Sequence, residues 1–454
     1  MTDEIHFLKI QSYSDHPEVA RAAELLVQSM MSARKRIRNE KLYLRDAKKL
    51  VASLWCKGED DQFRFTTKTT YFSSINRKQV WLTSRTLKLF KQMRELGWVN
   101  LVSEAIPPSK STKAKGGMAT IYRHSKTFKD LLKTLTVMDI IPDPDMPRVE
   151  LRDENRVLVD LPQAYLASDS YKQTVTILED HYELLKKAQP RFCDGAQVPL
   201  QLLYYVRKFR PDLGHGGRLY AGVQQLPKRE RLGITLNGEA VISLDISQLH
   251  PALALRLNHH ADTERDGLLY EAQSEVYSMP DYPDLPRAVH KKLINTLINA
   301  KSEDNAVRSL INTHYWYDIF TDEWIVKSYK GKAKREGEKV FPDQPKIEAT
   351  KYLNSFIFRH PMMADAVCSG IGSTLQVIDG QIMQTVLKVA TGAKVPILVI
   401  HDEIIVQEKY QSFIEMALQR TFQAILKDKG SFGSIGVKCM NMNSEESFVL
   451  ELAS

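Results

Sequence analysis

Apolar positions along this chain alternate between helical and strand spacing, and the alternation divides it into segments. In PEVARAAELLVQSMM, within residues 1–30 and just beyond, apolar side chains recur every three or four positions, which predicts an amphipathic helix after a short lead. RDAKKLVASLWCK, at 45–57, has the same period. A third helix is predicted to start at Thr83–Ser84, hydroxyl residues suited to an N-cap, and to run through TSRTLKLFKQMREL to a stop at Gly97. Leu87, Phe90, Met93 and Leu96 form its apolar face. Two strand-like runs follow, WVNLV and MATIYRH, with the loop PPSKSTKAKGG between them at 107–117.

Helix, strand, basic loop, strand is the order of a winged helix-turn-helix, in which a helix enters a DNA groove and the wing rests on phosphate. The same order suits a small structural domain with no nucleic-acid partner. The stretch 140–165, rich in Pro and Asp, predicts a linker. Residues 170–213 are predicted to be mainly helical. From 214 onward glycine turns, short strands and longer helices alternate. No internal repeat is visible. The division expected is therefore 1–140, a winged-helix-like basic domain; 141–213, linker and helices; and 214–454, the remainder.

Charge sharpens this division. The chain has 454 residues and a net charge of +8. Residues 1–130, including ARKRIRNEK at 33–41, carry about +12, leaving about −4 for the rest. A basic front end suits a polyanion, nucleic acid first, although a solvated basic surface with no partner has the same composition. The four cysteines are far apart and form no CxxC pair, against a zinc site or a disulfide framework. No apolar run reaches the roughly 20 residues that span a bilayer. The N-terminus lacks a charged-then-apolar signal, so no membrane partner and a cytoplasmic location are expected.

Four segments carry candidate chemistry. In VPILVIHDEIIV, at 395–406, two β-forming runs flank His401, Asp402 and Glu403. A tight hairpin would bury both runs and lift the acids to its tip, where a divalent metal can be held; an ordinary polar turn has the same pattern. In AVISLDISQLHPALALRL, at 240–257, Asp245 stands where a strand gives way to a helix, so its carboxylate and the Ile246 carbonyl can reach a metal. A helix-capping Asp fits there too. In PRAVHKKLINTLINAKS, at 286–302, Arg287, Lys291, Asn295 and Asn299 recur every four residues. One helix face then carries two cations followed by two amides, fit to grip a triphosphate and line a sugar or base, or simply to face solvent. In HGGRLYAGVQQLPKRERL, at 215–232, Gly216 and Gly217 permit close backbone approach. Arg218, Lys228, Arg229 and Arg231 can bind phosphates, and Gln224 and Gln225 can hydrogen-bond in a groove.

Read in order, GGRLY, VQQLP, LDISQLHP, RAVHKKLINTLINA and VIHDE resemble the palm and fingers of family A DNA polymerases and of the related phage-type single-subunit RNA polymerases, over about residues 200–410. The resemblance implies an α+β right-hand polymerase fold, with palm, fingers and thumb behind the winged-helix-like domain. It implies that Asp245 and Asp402 are the catalytic carboxylates. With Ile246 and Glu403 they would hold two Mg²⁺ ions, or Mn²⁺ in their place, about 3.5–4 Å apart. Arg287 and Lys291 correspond to the cations that hold the triphosphate; Lys292 is the weaker candidate for the second place. Gln248, His250, Asn295 and Asn299 correspond to nucleotide-binding positions. Arg218, Gln224, Gln225, Lys228, Arg229 and His401 correspond to template and primer contacts.

Some positions depart from the family A pattern. His250 stands where those DNA polymerases carry a Glu that excludes ribonucleotides, and Asn299-Ala300 replaces the usual Tyr-Gly. The segment LQVIDGQIMQTVL, with Asp379-Gly380, is closer to the RNA polymerase form. No acidic constellation before residue 200 resembles a proofreading exonuclease. The expected function is a DNA-templated nucleotidyltransferase, a DNA polymerase without proofreading, with template/primer DNA and nucleoside triphosphates as partners. It suits a plasmid, phage or other mobile element. A single-subunit RNA polymerase or primase is the alternative, and a DNA-binding replication factor with an inactive polymerase fold is a second.

Overall fold

The structure is a computed structural model. It describes residues 12–33, 39–56, 62–65, 84–103, 120–258, 276–318, 323–329, 337–426, 434–441 and 445–451. The basic loop at 107–117 and most of ARKRIRNEK lie outside the described residues.

The first apolar cluster gathers the N-terminal helices Pro17–Ala33, Glu40–Trp55 and Ser84–Glu95 on a three-stranded antiparallel sheet. That sheet has the order Phe63–Arg64, Ile121–His124, Val99–Ser103. Phe65 stacks on Phe90 with ring centroids 3.8 Å apart, and Tyr122 meets Phe90 edge-on at 5.0 Å. The third helix stops before Gly97, whose φ of 69° is the left-handed conformation glycine adopts without strain. The second helix begins at Glu40, earlier than its apolar period suggested, because its first turn is polar.

The stretch at 140–165 is not a connector. Ile141–Pro142 pairs with Ser12–Tyr13, and Val149–Arg152 runs parallel to Val206–Phe209 inside a four-stranded sheet that ends on Gly216–Tyr220. Pro144 and Pro147 lie between the strands Ile141–Pro142 and Val149–Arg152, while Val149 and Leu151 are buried. Of 170–213, only Asp169–Ala188 is a long helix. It ends at Gln189 in a left-handed conformation, and the chain continues through a 3₁₀ turn at Leu200–Leu203 into the strand Val206–Phe209.

The larger core is built on a five-stranded antiparallel sheet. Its order is Ile397–Ile400, Glu403–Gln407, Val241–Ile246, Ser434–Met440, Glu445–Glu451. Ile397, Leu398, Val399, Ile404, Ile405 and Val406 are fully buried, each contributing about 1.5–3 kcal/mol relative to exposure. The edge strand Ile397–Ile400 does not stay bare: the Tyr205 hydroxyl accepts from Val399 N at 2.8 Å and donates to Val399 O at 3.1 Å.

Helix Gly372–Gly392 packs on Gly216–Tyr220 and against helices Asp169–Ala188 and Gln411–Leu426. The approach to the strand depends on glycine: a Cβ on Gly380 would stand 2.1 Å from the Gly217 carbonyl oxygen. Among the described residues no helix is long and apolar enough to cross a membrane.

Candidate active site

Asp245 lies near the end of the strand Val241–Ile246, in antiparallel register with Glu403. The next residue, Ile246, donates its backbone N–H to the Asp402 carbonyl at 3.0 Å. The hairpin predicted at 395–406 is present: Ile400 pairs with Glu403, leaving His401 and Asp402 as a two-residue turn. His401 has φ 58°, a left-handed conformation that costs a non-glycine residue about 1–2 kcal/mol. The turn is held by the buried strands on either side, and it carries the Asp402 backbone to the end of the Asp245 strand.

Beyond Ile246 the chain turns sharply at Gln248, φ 54°, and enters helix Leu249–Asn258. Asp245, Ile246 and Gln248 line a small cavity of about 170 Å³, together with Lys228, Arg287 and Lys291. The two cations come from helix Arg287–Asn299, whose buried face is Val289, His290, Leu293, Ile294, Leu297 and Ile298. With that apolar stripe buried, Arg287 and Lys291 are left to line the cavity at Asp245. Lys292, one residue on, lines a separate polar groove of about 740 Å³ with Asn295, Asn299, Lys301 and Arg308.

The electrostatics of the cavity are unbalanced. Burial, and then the charges of Asp402 and Glu403, push the Asp245 carboxyl up to about 6, against the pull of Lys291 and Lys228. Among the described residues no group of three or more His, Cys, Asp or Glu side chains is arranged to hold a metal. A pair of carboxylates is a different case, because Mg²⁺ keeps several waters and takes one or two carboxylates together with substrate phosphates. Two neighbouring acids, one of them with its carboxyl pKa raised by burial and by the adjacent acidic charges, fit such an ion. Asp245 and Asp402 would be the side chains to hold it.

Glu403 departs from the metal-ligand expectation. Its Oε1 accepts from the Ser243 hydroxyl at 2.6 Å and its Oε2 from Arg231 Nη2 at 3.0 Å, and the residue is buried. Both oxygens are engaged in bracing the sheet against the segment at 228–232.

His250 departs as well. It lines neither the Asp245 cavity nor its neighbour. Its Nε2 lies 2.7 Å from Arg218 Nη2 and 3.5 Å from the fully buried Asp379. Arg218 itself is ion-paired to Asp379, so this cation is committed within the protein rather than offered to a template phosphate. The Gln224 amide donates to the carbonyls of Leu219 at 2.9 Å and Val399 at 3.4 Å, so it too is turned inward. Lys228 faces the Asp245 cavity. Gln225 and Arg229 are exposed.

His401 packs edge-on to Tyr220 with ring centroids 5.5 Å apart. Burial, and then the Arg218 charge, hold its imidazole pKa below the usual range, favouring the neutral ring. Asn299 turns its amide back to the Asn295 carbonyl at 2.6 Å, and its Oδ1 stands where a Cβ on Gly372 would fall, 2.1 Å away. Asn299 therefore closes the end of its own helix instead of reaching the acids.

Tyr277 lines the Asp245 cavity without any signal of its own in the sequence. It is 6% exposed, and the Arg287 guanidinium lies 5.3 Å from its ring centroid. Its neighbours in sequence are turn residues with no regular period, so only the assembled fold marks it.

No protein-family model matches the chain, and no curated protein matches it. Among solved structures it is similar to the POL domain of Pol1 from M. smegmatis in complex with DNA primer-template and dNTP, at 14% identity and a TM-score of 0.31. The likeness covers 91% of this chain, which spans 64% of the length of that one.

Proposed function

We propose that the protein is a DNA-templated nucleotidyltransferase that extends a nucleic-acid 3′ end, with deoxynucleoside triphosphates as substrates and without proofreading. The observation that carries this reading is the pairing of the Asp245 and Asp402 strand ends beside a cavity lined by Arg287 and Lys291. A buried carboxylate, with a second acid beside it, sharing a cavity with cations suits a polyphosphate brought in with divalent metal.

In the reaction proposed, the primer 3′ oxygen attacks the α-phosphorus. The new O–P bond forms as the bond from the α-phosphorus to the bridging oxygen breaks, pyrophosphate leaves, and the 3′-hydroxyl proton passes to solvent. Two Mg²⁺ ions held by Asp245 and Asp402 would lower the pKa of the 3′-hydroxyl and stabilise the leaving pyrophosphate. Arg287 and Lys291 neutralise charge that builds on the phosphates. Gln248 and Asn295 contact the remainder of the nucleotide, and the exposed Gln225 and Arg229 contact the duplex. The N-terminal unit, whose helices and strands follow the winged-helix order, binds DNA through the exposed Lys88 and Lys91 of helix Ser84–Glu95.

The test is extension of primed and unprimed template with Mg²⁺ and either dNTPs or NTPs. Extension of the primed strand with dNTPs is expected. Asp245→Ala or Asp402→Ala should abolish it while DNA binding persists. A protein that extends neither substrate with either nucleotide pool defeats the reading.

A further inference from the structure

The cavity at Asp245, about 170 Å³, is smaller than the roughly 300–1,000 Å³ typical of small-molecule sites. A second cavity of about 510 Å³ adjoins it, and Gln248, Tyr277 and Arg287 line both. Together the two reach the size a nucleotide needs, with the Tyr277 ring as part of the wall between them.

The position of that ring is constrained. It is 6% exposed, the Arg287 guanidinium lies over it at 5.3 Å, and its hydroxyl faces the Asn295 side chain one helical turn beyond Lys291. Among the described residues it is the one aromatic side chain lining the Asp245 cavity. His250, another ring near Asp245 in sequence, is held by Arg218 and Asp379 and reaches neither cavity. A triphosphate gripped by Arg287, Lys291 and the two acids has its sugar as the next group along, so the group that borders the phosphate pocket also borders the sugar.

Resting on the polymerase reading above, we propose that Tyr277 is the sugar-selecting residue of the nucleotide site. Its ring packs against the C2′ edge of the incoming nucleotide, admitting a hydrogen there and excluding a ribose hydroxyl. The ring cannot retreat without giving up its contacts with both Arg287 and Asn295, and a wall that cannot retreat can discriminate by shape.

The experiment is single-nucleotide incorporation on a primed template with Mg²⁺, comparing kcat/KM for a dNTP and the matching NTP in wild type, Tyr277→Ala and Tyr277→Phe. Wild type should prefer the dNTP. Tyr277→Ala should lower that preference by about tenfold or more, chiefly through better use of the NTP. Tyr277→Phe, which keeps the ring, should hold the preference within about threefold. Where Tyr277→Ala does not fold, Tyr277→Leu is read in the same way.

A preference unchanged in the Ala or Leu variant overturns the proposal, as does an equal fall for both nucleotides, which is what weakened packing alone would give. A wild type that prefers NTPs overturns it while leaving the polymerase reading intact. A wild type that extends neither pool removes that reading, and this proposal with it.

Discussion

Asp245 and Glu403 stand opposite each other in the antiparallel register, yet their carboxylates have different duties. Glu403 is held by Ser243 at 2.6 Å and Arg231 at 3.0 Å, whereas Asp245 lines the cavity with Lys291 and Arg287. Two acids adjacent on one sheet thus divide into a brace and a candidate ligand, and this division can be tested by substitution.

Glu403→Gln should destabilise the protein by about 3 kcal/mol, because it leaves the largely buried Arg231 guanidinium without its counter-charge. Asp402→Asn should leave stability equal or higher without added metal, since it removes a charge that opposes ionisation of Asp245. Urea denaturation of both variants distinguishes the roles. Equal destabilisation would mean that Asp402 is also structural.

The raised Asp245 pKa predicts a pH dependence of known sign. Folding lifts the carboxyl from an ordinary value near 3.8 to about 6, so the folded state binds the proton more tightly than the unfolded state. The associated stability is present below about pH 4 and is lost as pH rises through about 6, amounting to about 3 kcal/mol without metal. Relative to Asp245→Asn, the wild type should therefore lose stability between about pH 4 and about pH 7. Mg²⁺ should restore part of that stability near neutrality, and should have no such effect on Asp245→Asn. Denaturation of both proteins across this range, with Mg²⁺ or with EDTA, measures it. Parallel curves would remove Asp245 as the titrating group.

Gly380→Ala should cost about 3 kcal/mol, because the new Cβ meets the Gly217 carbonyl at 2.1 Å and neither backbone can yield cheaply. Gly392→Ala, in the same helix with nothing within 4 Å of its Cβ, should be neutral or stabilising by up to about 1 kcal/mol. Comparing their denaturation midpoints tests the close approach of this helix to the strand carrying Arg218.

Lys88 and Lys91 are exposed on helix Ser84–Glu95. If this helix lies on DNA, replacing both with Ala should weaken binding at low salt. It should also reduce the slope of log K against log salt by about 2, or about 1 for each lysine that neutralises a phosphate. An unchanged slope would place the DNA-binding surface elsewhere.

Local patterns in the chain were enough to set the elements of the site. Two apolar β-forming runs marked the hairpin around His401–Asp402, an apolar strand followed by a helical run placed Asp245 at a junction, and a four-residue period set Arg287 and Lys291 on one helix face. These patterns are legible because strand and helix periods are properties of neighbouring residues. The duty of each polar side chain came instead from long-range packing. Ser243 meets Glu403 across 160 residues, Arg218 meets Asp379 across 161, and Tyr277 becomes a cavity wall only when the helix beginning at Arg287 and the end of the Asp245 strand line one cavity with it. A carboxylate or guanidinium carries the same chemistry in every sequence context. Whether it remains available for a ligand depends on which distant partner the fold has already given it.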